Sequence, residues 1–167
     1  MVLAAALAAA LLAAPRPAPA QGMQVSRGDD SSETRAAAGE LAALTRRIER
    51  GEIAPVEFDT GKADLKPGAE GTLRLVAAVL LRHPELHLTV NGHTDDVGSP
   101  EYNMWLSQNR AETVKRYLIS QGVLGESIRA LGFGETKPIA PNDCEEHRAK
   151  NRRVEFVLSR KAWGSVF

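Results

Sequence analysis

NGHTDDVGSPEYNMWLSQNRAETVKRYL, residues Asn91 to Leu118, runs from the end of an alternating segment through an acid-rich turn into a long helix. Ser99 followed by Pro100 is an N-cap and first-position pair, so the helix opens there. On a wheel advancing roughly 100° per residue from Asn103, Leu106, Val114, Tyr117 and Leu118 share one arc. Gln108, Asn109, Glu112, Lys115 and Arg116 share the opposite arc. Arg110 falls inside the apolar arc with Asn103 and Ser107. A charge that faces the interior needs a partner or a ligand, because burying it alone is very unfavourable. Asp95, just upstream, is the obvious complement. The pair suits a small site that reads both charges of a zwitterion.

Working outward, Leu86, Leu88 and Val90 alternate with His87, Thr89 and Asn91, which predicts a strand feeding the turn. Further upstream, 53–58 reads as a short strand followed by a loop. Pro67 then suits the first turn of a helix that reaches Arg82, with Leu73, Val76, Ala77 and Leu80 as its apolar stripe and Pro84 ending it. Downstream, Gly122 closes the long helix. Residues 127–133 read as a third strand and 145–150 as a short helix. A final strand has Val154, Phe156 and Leu158 alternating with Glu155 and Val157. The order β-α-β-α-β-(α)-β predicts an α/β sandwich, a mixed sheet with helices packed on it. The domain is expected over 53–161, with 162–167 as a C-terminal tail.

The N-terminus reads differently. An apolar run from Val2 to Ala14 meets a proline break and then Ala18-Pro19-Ala20, the pattern of a secretory signal peptide over 1–20. The run is too short to span a bilayer comfortably. No Lys or Arg precedes it, and an Ala-rich tail is the bland alternative. No cysteine lies near the break, which disfavours a lipid anchor. Residues 21–52 read as a polar linker and a short amphipathic helix over 33–50. That helix has a thin stripe of Ala37, Leu41, Leu44 and Ile48 and leans on the main domain or on a partner.

Composition narrows the chemistry. The chain has 167 residues with 21 basic and 21 acidic side chains, so no global field points to nucleic acid or an anionic membrane. Cys144 is the one cysteine, which excludes an internal disulfide and a multi-cysteine metal site. His83 and His87 have four-residue spacing, but Pro84 breaks the helix a zinc pair would need, so no metal site is expected.

In the turn Gly92 to Gly98, Asp95 and Asp96 are adjacent and seldom converge on one atom, and no nucleophile with a matched base accompanies them. Asp95 as an acceptor for a ligand ammonium is the functional reading, and two turn-capping acids are the bland one. His93 reads as a packing residue. For Arg110 the alternative is an internal salt bridge to Asp95 with no ligand. Arg148, Lys150, Arg152 and Arg153 form a basic cluster diluted by Glu145, Glu146 and Glu155. It is a solvated face, or it supplies a second arginine to the same pocket. Trp105 lies on the outer arc. No catalytic residue and no cofactor are expected, although a hydrolase using Asp95 or Asp96 with His93 is the alternative class.

These motifs closely resemble the OmpA-like peptidoglycan-binding domain of OmpA proteins, peptidoglycan-associated lipoproteins and MotB proteins. The pattern appears as Gly92-His93-Thr94-Asp95; Asn103, Leu106, Ser107, Arg110, Ala111 and Val114; Gly132-Phe133-Gly134 with Pro138; and Arg148-Ala149 with Asn151-Arg152-Arg153-Val154-Glu155. The resemblance covers roughly 55–159. It implies a non-enzymatic module that holds the diaminopimelate of the peptidoglycan stem peptide, with Asp95 on the ammonium and Arg110 on the carboxylate. It places Asn103 and Thr94 as supporting contacts, Arg152 as the second arginine, and Asp59 and Thr60 at the rim. The implied location is the periplasm, with outer-membrane association. Three positions depart from the pattern: Gly61 replaces a residue with a side chain, Cys144 a small hydroxyl residue, and His147 a glycine.

Overall fold

The computed structural model describes residues 23–25, 32–59 and 61–159. The signal-peptide reading of 1–20 and the tail at 162–167 lie outside them.

A four-stranded sheet has the order β1-β4-β2-β3, with β1 Met23–Val25, β2 His87–Gly92, β3 Ile128–Gly132 and β4 Val154–Ser159. β4 runs antiparallel to β2, while β1 is parallel to β4 and β3 is parallel to β2. Helices α1 Ser32–Glu49, α2 Ala69–Arg82 and α3 Pro100–Ser120 touch in series and form one layer over the sheet. The short α4, Glu145–Asn151, precedes β4. The expected α/β sandwich with a mixed sheet is what forms.

The alternation in 86–91 does its work. Leu88 and Val90 are fully buried beneath the helices, while His87 and Thr89 on the other face are half-covered. The core joins them to Leu41, Leu73, Val76, Val114, Leu118 and Leu158. Burying a leucine or valine of this kind contributes about 1.5–3 kcal/mol before entropy is counted.

Three expectations about upstream elements are corrected. Residues 53–58 do not enter the sheet. Phe58 makes an isolated bridge with Leu65, and Lys66 N–H donates to Glu57 O at 2.9 Å, so this segment folds back on its own loop. Val56 is buried without being in a strand. The strand paired in parallel with β4 comes instead from Met23–Val25, inside the segment expected to be a linker. Helix α2 also starts later than Pro67, at Ala69, after Gly68 turns the chain at a φ of 94°.

Helix α1 buries Ala37, Leu41 and Leu44 against this same core, and Glu40 pairs with Arg82 and His83 of α2. The thin apolar stripe is therefore covered within the molecule.

Helix α3 lies unusually close to the sheet. Gly92 and Gly132 are register partners on β2 and β3. A Cβ on Gly92 would overlap the Ser107 carbonyl oxygen, and one on Gly132 would sit 2.5 Å from the Gln108 nitrogen. Two bare backbones let α3 settle onto the strand ends, and that seat places Arg110 and Asn103 beside the turn after β2.

Candidate functional site

The turn after β2 is held by backbone bonds at both sides. His93 N–H donates to Arg153 O at 3.0 Å, and Thr94 N–H donates to Gly134 O at 2.9 Å. Ser107 Oγ accepts from Gly134 N–H at 2.8 Å, tying the 133–136 turn to α3. Ser99 caps α3 as its sequence position requires, accepting from Tyr102 N–H at 3.2 Å. These ties fix Asp95, which is 8% exposed, beside Asn103, whose Nδ2 donates to Asp95 O at 3.3 Å and to Glu135 Oε2 at 2.7 Å.

Arg110 is 4% exposed, on the inward face of α3 as the helical wheel required. Its direct partners are not carboxylates. Nε donates to Lys62 O at 2.9 Å and Nη2 to Asp59 O at 3.4 Å, and the guanidinium lies 5.2 Å from the centre of the Phe58 ring. The expected direct complement, Asp95, acts on it only through space. Burial draws the Arg110 pKa below its ordinary value, Asp95 raises it, and the Arg152 charge lowers it again. Arginine stays charged under all of these influences. Nη1 makes no hydrogen bond among the described residues.

Asp95 is instead paired with Arg152. Oδ2 accepts from Arg152 Nη1 at 2.7 Å, while Oδ1 accepts from Val97 N–H at 3.2 Å. The other end of the same guanidinium donates to Glu145 Oε1 at 2.6 Å. Burial lowers the Arg152 pKa, and the hydrogen bonds from Glu145 and Asp95 outweigh it, so the net shift is upward. The Arg152 hydrogen bond also lowers Glu145.

These groups line a pocket of about 400 Å³ whose walls include Thr94, Asp95, Tyr102, Asn103, Arg110 and Arg152. Arg110 and Arg152 also line a smaller cavity of about 110 Å³ reaching Phe58 and Lys66. Thr94, 3% exposed, has a hydroxyl oxygen with no hydrogen-bond partner among the described residues. The pocket therefore presents an aspartate with spare lone pairs, an uncommitted guanidinium nitrogen and an unpartnered hydroxyl.

Five of the seven expected site residues meet at this pocket. Asp59 contributes its carbonyl to Arg110 and is not on the wall, and Thr60 lies outside the described residues. Asp96 is exposed and points to no role here. His93 is a packing residue, stacked on Phe133 at 5.4 Å and 3.6 Å from Glu155 Oε2.

Sequence reasoning missed Tyr102 and Glu145. Tyr102 O–H donates to Gly61 O at 2.8 Å and closes the pocket's edge. Its outward wheel position hides this, because the loop at Gly61 returns over the first turn of α3. Glu145 lies seven residues before Arg152 in a charged cluster, where no spacing singles it out.

A mixed sheet with one helical layer, carrying an aspartate and two arginines around a small pocket at one end, defines a binding module for charged ligands. The chain belongs to the OmpA family, whose sequence profile matches residues 57–152. Proteins of this kind are structural and non-enzymatic. It is 47% identical over 104 residues to the probable lipoprotein YiaD of Escherichia coli, covering 62% of this chain and 48% of that protein. It is 41% identical over 123 residues to the peptidoglycan-binding protein ArfA of Mycobacterium bovis, covering 74% of this chain and 38% of that one. The chain thus spans less than half the length of these relatives. Among solved structures it superposes on the peptidoglycan-associated lipoprotein of Burkholderia pseudomallei with a TM-score of 0.60 at 36% identity, covering 62% of this chain and 88% of that one. A putative MotB-like protein from Desulfovibrio vulgaris gives a TM-score of 0.63 at 31% identity, covering 78% and 93%.

Proposed function

We propose that this protein binds peptidoglycan non-covalently through the diaminopimelate residue of the stem peptide, and so anchors or positions itself in the cell envelope. The observation that carries this reading is the pairing, across one pocket, of a nearly buried Asp95 with an Arg110 whose Nη1 is uncommitted. Diaminopimelate ends in an ammonium and a carboxylate on one carbon. Asp95 accepts from the ammonium, Arg110 donates to the carboxylate, and Arg152 steadies Asp95 from the other side. Asn103 holds the Asp95 backbone, and Thr94 offers its hydroxyl. Asp59 supports Arg110 through its carbonyl, and Thr60, the next residue in sequence, is included in the proposed set.

Relatives named as peptidoglycan-binding or peptidoglycan-associated support the substrate class. The apolar run from Val2 to Ala14, read as part of an export signal over 1–20, supports a periplasmic location, and relatives named as lipoproteins and porins support association with the outer membrane. The wall-binding site lies within the expected domain over 53–161, while β1 and α1 from the 21–52 segment complete its sheet and core. A partner at 33–50 would meet the helix's outer face.

The test is an NMR titration of the full chain with a diaminopimelate-containing stem peptide. Shift changes centred on Thr94, Asp95 and Arg110 are expected. Changes confined to other surfaces, or none at millimolar peptide, would sink the assignment.

A further inference from the structure

From the side chains gathered at the start of α4, we infer a second site, a divalent transition-metal site of the zinc class formed by Asp143, Cys144 and His147. One ligand atom from each, a carboxylate oxygen, the thiol sulfur and an imidazole nitrogen, lies within 4.8 Å of the other two. None of the three lines the pocket described above.

The donor set selects the ion. A thiolate, an imidazole and a carboxylate suit zinc or a neighbouring first-row ion, whereas calcium and magnesium call for oxygen alone. Thiolate and carboxylate carry two negative charges that match a dication. In a tetrahedral site with bonds of about 2.0–2.3 Å, ligand atoms stand about 3.3–3.8 Å apart. His147 Nδ1 and Asp143 Oδ1 are now 2.5 Å apart, joined through a hydrogen-bonded proton. The ion takes that proton's place and the thiol's, so the closest pair opens by about 1 Å and the widest contracts by a similar amount. Asp143 and Cys144 are exposed and His147 is partly so, so rotations about side-chain bonds suffice.

Neighbouring acids are already committed: Glu145 to Arg148 and Arg152, Glu146 to Lys150. Asp143 has no lysine or arginine within ion-pair distance among the described residues, and its one recorded ion-pair partner is His147. Three protein ligands leave a fourth position for water. The ion would staple the residues on both sides of Glu145, the residue that holds Arg152.

The experiment uses the reduced full chain with cobalt(II) and zinc(II) as probes. Cobalt should give a thiolate-to-metal charge-transfer band and tetrahedral visible bands, both removed by one equivalent of zinc. Cys144→Ser should abolish the charge-transfer band. Cys144→Ser and His147→Gln should each weaken zinc binding, measured calorimetrically, by at least about tenfold, since even loss of an outer-shell partner has that effect. His83→Gln removes a partly exposed histidine with two carboxylates beside it, Glu40 and Glu85, and should leave affinity unchanged. Absence of the charge-transfer band in the wild type overturns the site, as does undiminished affinity in Cys144→Ser. Loss of zinc in His83→Gln would place the ion elsewhere and equally overturn it.

Discussion

Arg152 Nη1 donates to Asp95 Oδ2 at 2.7 Å across 57 residues of sequence. The aspartate proposed to receive a ligand ammonium is therefore held in place before any ligand arrives. Preorganisation of this kind lowers the entropy lost on binding. It also ranks the variants. Asp95→Ala and Arg110→Ala each remove one pole of the two-point contact and strand the other, which is expected to weaken binding by about 2–5 kcal/mol. Arg152→Ala removes only a support, on a side chain 32% exposed, and is expected to weaken binding by about 1–2 kcal/mol. Pull-down on purified sacculi, with folding checked by circular dichroism, reads the ranking. Equal losses for all three would mean that Arg152 touches the ligand itself.

The closeness of α3 to the sheet makes a stability prediction that does not depend on function. Gly132→Ala forces a methyl against the Gln108 backbone, which cannot swing away as a side chain could. The expected loss is about 1–3 kcal/mol, as for overpacking elsewhere, with Gly92→Ala at least as severe. Gly39 provides the opposite case. It lies within α1 with nothing inside 4 Å of its hypothetical Cβ, so Gly39→Ala should stabilise by about 0.5–1 kcal/mol. Urea denaturation measures all three. Stabilisation by Gly132→Ala would contradict the described seat of α3.

Behind the pocket, Glu155 supplies a pH dependence. His93 at 3.6 Å and Arg153 at 2.8 and 2.7 Å hold its carboxyl down, against burial, at about 2 instead of 4.5. A depressed folded-state pKa means that protonation favours the unfolded chain. The stabilisation is therefore complete above about pH 4.5 and drains away as pH falls toward 2. Exposed pairs such as Glu146 with Lys150 contribute little to this limb. Glu155→Gln should flatten the acid limb of stability against pH. It should also lower stability at pH 7 by about 3 kcal/mol, because the nearly buried Arg153 loses its counter-charge. An unchanged acid limb in that variant would refute the assignment.

Much of this was legible in the sequence, for physical reasons that also explain the rest. Arg110 and Asn103 announce themselves because a helix repeats every 3.6 residues, and a polar side chain on the wrong arc is visible without coordinates. Ser99 and Gly122 mark the ends of α3 through local backbone chemistry. Residues 53–58 differ from the expected strand because a short apolar run reports burial, not which backbone it pairs with; Val56 is buried against the core while Phe58 bridges to Leu65. β1 has three residues and no period to detect. Which arginine bonds Asp95 directly was not legible, for a related reason. Arg110 is near in sequence and Arg152 is far, and choosing between two arginines requires the third dimension.

The sharpest test of the proposed chemistry lies in the shape of the guanidinium. Arg110 Nε and Nη2 are spent on the Lys62 and Asp59 carbonyls, and Nη1 is left to meet a carboxylate. Lysine in its place keeps a positive charge, but a point charge cannot brace itself on two carbonyls and still present a directed donor. Arg110→Lys should therefore retain the fold while losing most of the binding to diaminopimelate-type sacculi, approaching the loss for Arg110→Ala. The wild type should in turn bind lysine-type sacculi poorly. Their stem peptides have the ammonium for Asp95 but lack the carboxylate, so the buried donor goes unpaired, and a site built around a polar group discriminates strongly against a ligand without it. Parallel pull-downs on the two kinds of sacculi decide the matter. Comparable retention of the wild type on both would show that Arg110 does not read the carboxylate, whatever Asp95 does with the ammonium.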